Sequence, residues 1–316
     1  MRKIECFKIR ILQGDSSHKW EICHLKPIYD LLCDHMPFSL NPITILADPF
    51  LFVYNDRLYL FYEKKRNYSP GVICMISTDD LVHWSKPITI LEEEFHLSYP
   101  FVFEDAGRIF LIPESCEVGD IRLYMADNDQ LSHFSFYKTL VRKEVVDTEI
   151  GFADSSVYKK DGIYYLITSI EKGKNSRNNY LYLFFSDNLC GPYTEHPDSP
   201  ICSSPKYGRN GGAFLVDDGK IYRVAQDCAL SYGDNIHLLQ VTKITKELYE
   251  EIVVSLNLLP QDVQFYRYGG HQYNYVIFRN RVVVATDAKE YNSYSLYRLL
   301  HKVGLLLCQF FKKFLP

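Results

Sequence analysis

The sequence predicts an all-β fold, a five-bladed β-propeller followed by a C-terminal amphipathic α-helix. The first indication is residues 47–63, ADPFLFVYNDRLYLFYE, which are typical of two antiparallel strands joined by a tight turn at Asn55-Asp56. The second is recurrence, because similar hairpins begin at positions 48, 99, 154, 211 and 272, at intervals of 51, 55, 57 and 61 residues. Repeats of this length, with further strand-like runs after the hairpins, are typical of a radial β array.

Composition favours one closed domain over residues 1–292. The chain has 316 residues, of which 47% are hydrophobic and 15% aromatic, enough for a large core. Its net charge of −4 argues against a nucleic-acid partner. Nine cysteines, none in a C-x-x-C pair, indicate neither a zinc site nor a disulfide framework. The N-terminus has no apolar stretch of the length that export requires, so we expect a cytoplasmic protein.

Residues 1–25 are predicted to close the ring. They hold two strand-like runs, 6–12 and 20–25, whereas the fifth hairpin has no strand-like run after it. If the two ends of the chain pair, these runs complete the last blade, and residues 26–46 form a lead-in to blade one.

The other blades are predicted to add outer strands to their hairpins, in runs rich in β-branched and aromatic residues. These runs lie at 72–77 and 88–91 in blade one, 121–126 and 134–141 in blade two, 180–186 in blade three, and 236–241 and 252–258 in blade four. Residues 245–251 are predicted to form a helical turn.

Residues 293–316 change to a helical period, with apolar side chains recurring every three or four positions. The longest uncharged run is nine residues, too short to span a bilayer. This helix could pack on the propeller, or it could lie on an anionic membrane surface as a basic amphipathic anchor. Phe310-Phe311 beside Lys312-Lys313 favours the membrane, at the inner face of the cytoplasmic membrane.

Polar side chains at the strand starts and hairpin ends form the candidate site, because the repeat places them on one rim around the axis. They could simply cap strands, but carboxylates gathered on one rim repel one another and are costly without a ligand or counter-charge. The candidate catalytic residues are Asp48, Asp154 and Glu114. The candidate substrate-binding residues are Glu63, Tyr99, Arg209, Asn210, Gln226, Asp227 and His271.

Two reactions fit these residue types. Hydrolysis of a glycosidic bond needs two flanking carboxyl groups, and Asp48 and Asp154 occupy equivalent positions in blades one and three. Blade four offers no acid, so Glu114 would have to donate the proton. Arg209, close to Gly211-Gly212, suits phosphate instead, because a guanidinium and bare backbone N–H groups both complement its charge. A nucleotide-sugar donor, whose diphosphate leaving group needs little protonation, therefore fits better.

Metal ligands are not assigned from the sequence. Asp127-Asn128-Asp129 has the D-x-D form used by some metal-dependent glycosyltransferases. It lies in a predicted turn between strands, where Asp and Asn are ordinary residues, so we interpret it as a turn.

The motifs resemble five-bladed propeller glycosidases such as glycoside hydrolase family 43. The similarity lies in the Asp48-Pro49 start, the repeated hairpins and residues 77–84, STDDLVHW. The resemblance implies that Asp48 is the base and that a glutamic acid in blade four is the proton donor. It implies that Asp154 adjusts the pKa of that acid. This chain has Arg209-Asn210-Gly211 at the blade-four position, which puts hydrolase activity in doubt.

A closer resemblance is to the propeller at the N-terminus of plant glucosamine inositolphosphorylceramide transferases, which is also found in bacterial surface-polysaccharide gene clusters. The matching runs include residues 96–104 (HLSYPFVFE), 112–115 (IPES) and 225–228 (AQDC), followed by Tyr232-Gly233. The resemblance implies work on glycoconjugates. The plant proteins carry a separate C-terminal domain that looks like the catalytic glycosyltransferase, so the resemblance leaves open whether the propeller catalyses or only binds.

We therefore expect a carbohydrate-active enzyme of cell-surface glycan biosynthesis, a glycosyltransferase that uses a nucleotide sugar and a lipid-linked or glycan acceptor. Asp48 or Asp154 would activate the acceptor hydroxyl, and Arg209 would bind the donor phosphate. Glu114, Gln226, Asp227 and His271 would position sugar hydroxyls. Two alternatives are a family-43 glycosidase with Glu114 as its acid and a non-catalytic glycan-binding propeller.

Overall fold

The computed structural model describes residues 4–34, 41–142, 151–170 and 178–292, and these residues form an all-β fold. The predicted C-terminal helix at 293–316 lies outside the described residues. Four short 3-10 helices accompany the strands in the described ranges: Ser16–His18, Ile22–His24, Cys116–Val118 and Gln264–Tyr266. No helix within those ranges is long and apolar enough to cross a membrane.

The strands follow one another with short connections. The first eleven are β1 (Ile4–Gly14), β2 (Lys26–Leu31), β3 (Ile43–Tyr54), β4 (Arg57–Arg66), β5 (Val72–Thr78), β6 (Ile88–Leu91), β7 (Ser98–Asp105), β8 (Arg108–Glu114), β9 (Asp120–Ala126), β10 (Phe134–Arg142) and β11 (Phe152–Lys160). The others are β12 (Ile163–Ile170), β13 (Tyr180–Ser186), β14 (Thr194–Glu195), β15 (Cys202–Ser203), β16 (Arg209–Asn210), β17 (Leu215–Asp217), β18 (Lys220–Asp227), β19 (Asn235–Ile244), β20 (Tyr249–Ser255), β21 (Tyr273–Phe278) and β22 (Arg281–Asn292).

Hydrogen bonding groups the strands into sheets of sequential neighbours. Three sheets have the orders β10-β9-β8-β7, β11-β12-β13-β14 and β16-β18-β19-β20, with β15 and β17 attached to the last two. The largest sheet has the order β21-β22-β1-β3-β4-β5-β6, with β2 attached to β1. One parallel residue pair, Phe7 with Ile45, joins β1 to β3, so this sheet consists of two antiparallel halves.

The two ends of the described chain pair with each other. β1 lies antiparallel to β22 from Ile4 opposite Asn292 to Gly14 opposite Val282. The outer partner of β1 is β2, not the run at 20–25, so that strand prediction is wrong. The apolar residues in this run pack from 3-10 turns: Trp20 stacks on Tyr273 with ring centroids 5.6 Å apart, and Ile22 is buried.

A second local prediction also fails. Residues 245–251 were expected to form a helical turn, but Thr245 N–H donates to Leu248 O in a turn, and β20 begins at Tyr249. Tyr249 pairs with Ile244 of β19, and its β propensity and burial outweigh the helical tendency of the preceding Lys246-Glu247.

The core lies between the faces of neighbouring sheets. Phe61 of β4 meets Phe134 of β10 edge to face, with ring centroids 6.2 Å apart, and both side chains are fully buried. Aromatic pairs in this arrangement contribute about 0.5–1.5 kcal/mol beyond the area they bury. Sheets that pack face to face in this way hold their inner edges, and the polar residues on them, close together.

Candidate functional site

Strands β3, β7 and β11, each in a different sheet, share one backbone irregularity. Asp48, Tyr99 and Asp154 have φ values of 53°, 45° and 52°, in the left-handed region that non-glycine residues rarely adopt. At each position the strand register shifts, between Ala47 and Phe50 in β3 and at the matching places in β7 and β11. Such bulges redirect a side chain and are common beside active sites. Here they turn one side chain per sheet towards the shared inner edge.

The carboxylate of Asp154 is bound to Arg209. Arg209 Nε donates to Asp154 Oδ2 over 2.6 Å, and the two side chains are only 7% and 3% exposed. Gln226 Nε2 donates to the same oxygen over 3.1 Å. Asn210 adds a bond from Nδ2 to the backbone carbonyl of Asp154 over 2.9 Å. Four of the predicted site residues therefore form one buried network.

The remaining groups of the Arg209 guanidinium point towards the edge of the cluster. Nη1 donates to Asn178 Oδ1 over 2.6 Å, and Nη2 lies 3.4 Å from Glu114 Oε2. The ring of Tyr232 lies 5.2 Å from Arg209 Cζ, a cation–π distance. Because the bonds from Nη2 are long, this nitrogen keeps donor capacity for another oxygen.

Asp48 belongs to a second cluster with His271 and Asp287. His271 Nδ1 lies 2.8 Å from Asp287 Oδ2 and 3.4 Å from Asp48 Oδ1. The backbone N–H of Tyr99 donates to Asp48 Oδ2 over 3.1 Å. The Tyr99 ring is fully buried and meets Phe50 edge to face, with ring centroids 4.9 Å apart. The charges of Asp154 and Asp48 add to the rise that burial causes in the pKa of the Tyr99 hydroxyl.

Burial sets the protonation of the acids. It raises the pKa of Asp48 to about 7, with the negative charges of Asp154 and Asp287 adding to the rise and His271 opposing it. Burial also raises the pKa of Glu114 well above its usual value, and the charge of Asp154 adds to this. For His271, burial lowers the pKa, but Asp287 and Asp48 outweigh it and the net shift is upward. Burial and the neighbouring charges therefore favour the protonated forms of Glu114 and Asp48, compared with an exposed carboxyl group.

Glu63 connects the cluster to His96. Burial raises the pKa of Glu63 well above its usual value, with Asp48 as the main charged contributor. His96 Nε2 lies 3.4 Å from Glu63 Oε1, and Gly71 N–H donates to His96 Nδ1 over 2.9 Å. The proton of a neutral His96 is therefore on Nε2, facing Glu63.

Asp227 is placed away from these contacts. Its carboxylate is 3.1 Å from His237 Nε2 and accepts a bond of 2.9 Å from Ala229 N–H. These bonds hold the end of its own hairpin and leave the adjacent Gln226 to face Asp154.

The site also contains four residues outside the predicted set: Asp287, His96, Asn178 and Tyr232. Asn178 belongs to no sequence motif, and Tyr232 occurs only in the family motif Tyr232-Gly233. Tyr232 is 36% exposed, and its ring centroid lies 5.2 Å from that of His271, so it borders both clusters where solvent reaches them.

The His271 cluster is also the part of the site that could hold a cation. Oxygen atoms of Asp48 and Asp287 and a ring nitrogen of His271 lie within 4.8 Å of one another. Two carboxylates and an imidazole are suitable ligands for a divalent ion. A metal would have to displace the second ring proton of His271, whose binding Asp287 and Asp48 favour because they raise the pKa of the imidazole.

Comparison with known proteins confirms the resemblance seen in the motifs. Residues 3–280 match the family "Glucosamine inositolphosphorylceramide transferase 1, N-terminal". Glucosamine inositolphosphorylceramide transferase 1 of Arabidopsis thaliana is 36% identical over 233 residues, which are 72% of this chain and 29% of that protein. The chain therefore spans less than a third of the length of this relative.

Solved structures share the β-propeller fold. The α-L-arabinanase of Cellvibrio cellulosa, complexed with arabinohexaose, aligns with a TM-score of 0.50 and 17% identity, over 66% of this chain and 77% of that one. A β-xylosidase/α-arabinofuranosidase of glycoside hydrolase family 43 from a compost metagenome, in complex with xylotriose, aligns with a TM-score of 0.52 and 18% identity, over 72% and 79%.

Proposed function

This chain belongs to the family of N-terminal domains of glucosamine inositolphosphorylceramide transferase 1, and we propose that it is a glycosyltransferase of cell-surface glycan assembly. It would transfer a sugar from a nucleotide donor to a lipid-linked or glycan acceptor at the axis of the propeller. The full-length relatives are named as transferases of glucosamine to a glycolipid, which supports the direction of the proposal.

We infer that the propeller has five blades. The three smaller sheets supply three, and the two antiparallel halves of the eight-stranded sheet supply two more. Asp48, Tyr99, Asp154, Gly211 and Gln272 would then be the first positions of successive inner strands. All five residues are buried, as expected for positions next to the axis.

The observation that carries the proposal is the identity of the partner of Asp154. A hydrolase of the related type needs an acid in blade four to protonate the leaving oxygen. This chain places Arg209 there instead, and Nε of the arginine is bound to Asp154. A positive group cannot donate a proton as a carboxylic acid does, but it stabilises a leaving phosphate.

Asp48 supplies the complementary base. Its pKa of about 7 leaves a large fraction ionised at neutral pH, and that form can take the proton of an acceptor hydroxyl. His271 and the Tyr99 N–H hold the carboxylate in place. Asn210, Gln226 and the Asp227 hairpin would shape the sugar pocket.

A screen of nucleotide sugars for thermal stabilisation tests the donor. A donor that binds only the folded protein and is present at a concentration of a hundred times its Kd raises the free energy of unfolding by about 2.7 kcal/mol. The corresponding rise in Tm is readily measured. We expect at least one donor to raise the Tm of the wild type and to lose most of this effect in Arg209→Gln. Arg57→Gln, which changes an exposed arginine paired with Asp79, is the matched control. Equal shifts in both variants, or no shift with any donor, would exclude a nucleotide-sugar site at Arg209.

Glu114 supports a second candidate, a glycosidase. Burial raises the pKa of Glu114 well above its usual value, which favours the protonated form that a general acid requires. Release of free sugar from aryl glycosides or oligosaccharides, lost in both Asp48→Asn and Glu114→Gln, would establish this function. Glycan binding without turnover of donors or glycosides, unaffected by either substitution, would instead identify a binding module.

We also propose that residues 293–316 hold the protein at the inner face of the cytoplasmic membrane, near a lipid-linked acceptor. Their basic amphipathic pattern is the support. Deleting them should move the protein from the membrane fraction to the soluble fraction, and Lys312→Glu with Lys313→Glu should weaken binding to anionic vesicles. Recovery of the deleted form with membranes would remove this proposal.

A further inference from the structure

The connection between β1 and β2 winds through consecutive three-residue turns. His18 N–H donates to Asp15 O over 3.1 Å, Glu21 N–H to His18 O over 2.9 Å, and His24 N–H to Glu21 O over 2.9 Å. With three residues per turn, side chains at i and i+3 eclipse one another. His18, Glu21 and His24 therefore lie in one row on the same face.

The three side chains of this row converge. Glu21 Oε2 lies 3.3 Å from His18 Nδ1 and also contacts His24 Nδ1. The two imidazole rings have centroids 5.0 Å apart, and the three potential ligand atoms lie within 4.8 Å of one another. The side chains are 45%, 52% and 56% exposed, so an ion from solvent can reach them.

The backbone beneath the row is fixed by contacts on its other side. Asp15 Oδ1 accepts from Ser17 N–H over 2.9 Å, and Lys19 Nζ lies 3.1 Å from Asp217 Oδ1. Trp20 stacks on Tyr273, and Leu25 is buried. The ligand atoms are thus carried by a segment that the core holds in place, which reduces the entropy lost when they bind an ion.

We propose that His18, Glu21 and His24 form a surface site for a divalent transition-metal ion, preferably Zn²⁺, with water in the remaining position. Two imidazole nitrogens and a carboxylate oxygen are a zinc ligand set with one open position. Metal–ligand distances of about 2.0–2.2 Å place neighbouring ligand atoms of a tetrahedral site about 3.3–3.6 Å apart. The separation of His18 Nδ1 and Glu21 Oε2 fits this geometry.

The site is separate from the axial clusters. Ile9 of β1 pairs with Asp287, whereas the strand ends at Gly14, five residues further on. At about 3.4 Å per residue, the end of β1 that leads to the metal site is about 17 Å from Ile9, the residue opposite Asp287. A bound ion would stabilise the connection between β1 and β2, and β1 is the strand that pairs with β22.

Zinc titration of the full chain by calorimetry, with Co²⁺ absorption as a second readout, tests the site. His18→Gln with His24→Gln should remove one bound ion per chain and abolish the rise in Tm that Zn²⁺ gives the wild type. The matched control is His83→Gln with His133→Gln, exposed histidines that each face a single aspartate and should leave binding unchanged. His271→Gln should also keep this ion.

The Tm without metal shows whether each variant is folded. The two double variants should keep the Tm of the wild type, because their changed side chains are exposed and outside the core. An unchanged number of bound ions in the His18/His24 variant, or an equal loss in the control, would overturn the proposal.

Discussion

Arg209 donates through Nε to Oδ2 of Asp154 over 2.6 Å, so a buried cation in β16 compensates a buried anion in β11. Removing one partner of such a pair leaves an uncompensated charge and costs about 3–5 kcal/mol. Arg209→Gln should therefore lower the urea-denaturation midpoint strongly. Adding Asp154→Asn to it should recover part of the loss, because the pair is then neutral. Additive losses in the double variant would show that the two side chains are not coupled.

Asp48→Asn should reduce turnover by about 10²–10⁴-fold, the usual contribution of a positioned general base. In the wild type, activity should fall as the pH drops below about 7, because protonation removes the base. Initial rates measured from pH 5 to 9 check both statements.

The same substitution should stabilise the protein at neutral pH. The pKa of Asp48 is about 7 in the folded state and near 4 when unfolded, so the folded form binds more protons between these values. The contribution of Asp48 to the free energy of unfolding is therefore lost as the pH rises from about 4 to 7, and this loss is at most about 4 kcal/mol. Asparagine cannot ionise, so the Tm of Asp48→Asn should exceed that of the wild type above pH 7 and approach it near pH 4. A lower Tm at pH 8 would contradict the raised pKa.

Protonation of His96 should lower the free energy of unfolding in acid. Burial lowers the pKa of His96 to about 4, below its usual value of 6.5, so the unfolded state binds the proton first. Stability attributable to His96 is then lost as the pH falls from about 6.5 to 4, on the order of 2 kcal/mol after allowance for its exposed part. His96→Asn, which keeps an acceptor for Gly71 N–H, should reduce this loss. His133→Asn at an exposed position is the control, and equal acid profiles for both would refute the prediction.

Lys289 should position Tyr232 at the edge of the site. The lysine is 1% exposed and donates from Nζ to Tyr232 O over 2.5 Å and to Ser231 Oγ over 3.1 Å. Lys289→Met should speed amide hydrogen exchange in residues 229–234, because it frees the loop. KM for the sugar substrate should rise several-fold with a smaller change in kcat. Unchanged exchange in this loop would show that Lys289 does not hold it.

The fold class could be predicted because its signals are local. Turn residues such as Asn55-Asp56, with φ values of 47° and 57°, and alternating apolar residues recur at regular intervals. The predicted strand at 20–25 fails because Trp20 and Ile22 are apolar for a different reason: they fill the core from 3-10 turns. Local pattern shows that a residue is buried but not which backbone buries it.

The sequence could predict only those site residues that lie at equivalent positions in the repeated hairpins. Equivalent positions in the hairpins identified Asp48 and Asp154 together. The partner of Asp154 is 55 residues away in sequence, and that distance is closed by sheet packing. The protonation of Glu114 depends on burial, which no motif reports. The row at His18, Glu21 and His24 has the sequence H-x-x-E-x-x-H, and its side chains align because the backbone here turns every three residues.

The pairing of β1 with β22 has a consequence for biosynthesis. β1 is synthesised before β22, its main partner among the described strands, which lies some 270 residues further along the chain. At about 5–20 residues per second, that interval is roughly 14–54 seconds. During this time the apolar edge of β1 that will pair with β22 is exposed, and the nascent chain can aggregate through it. Chaperone supply and translation speed should therefore govern the yield of native protein.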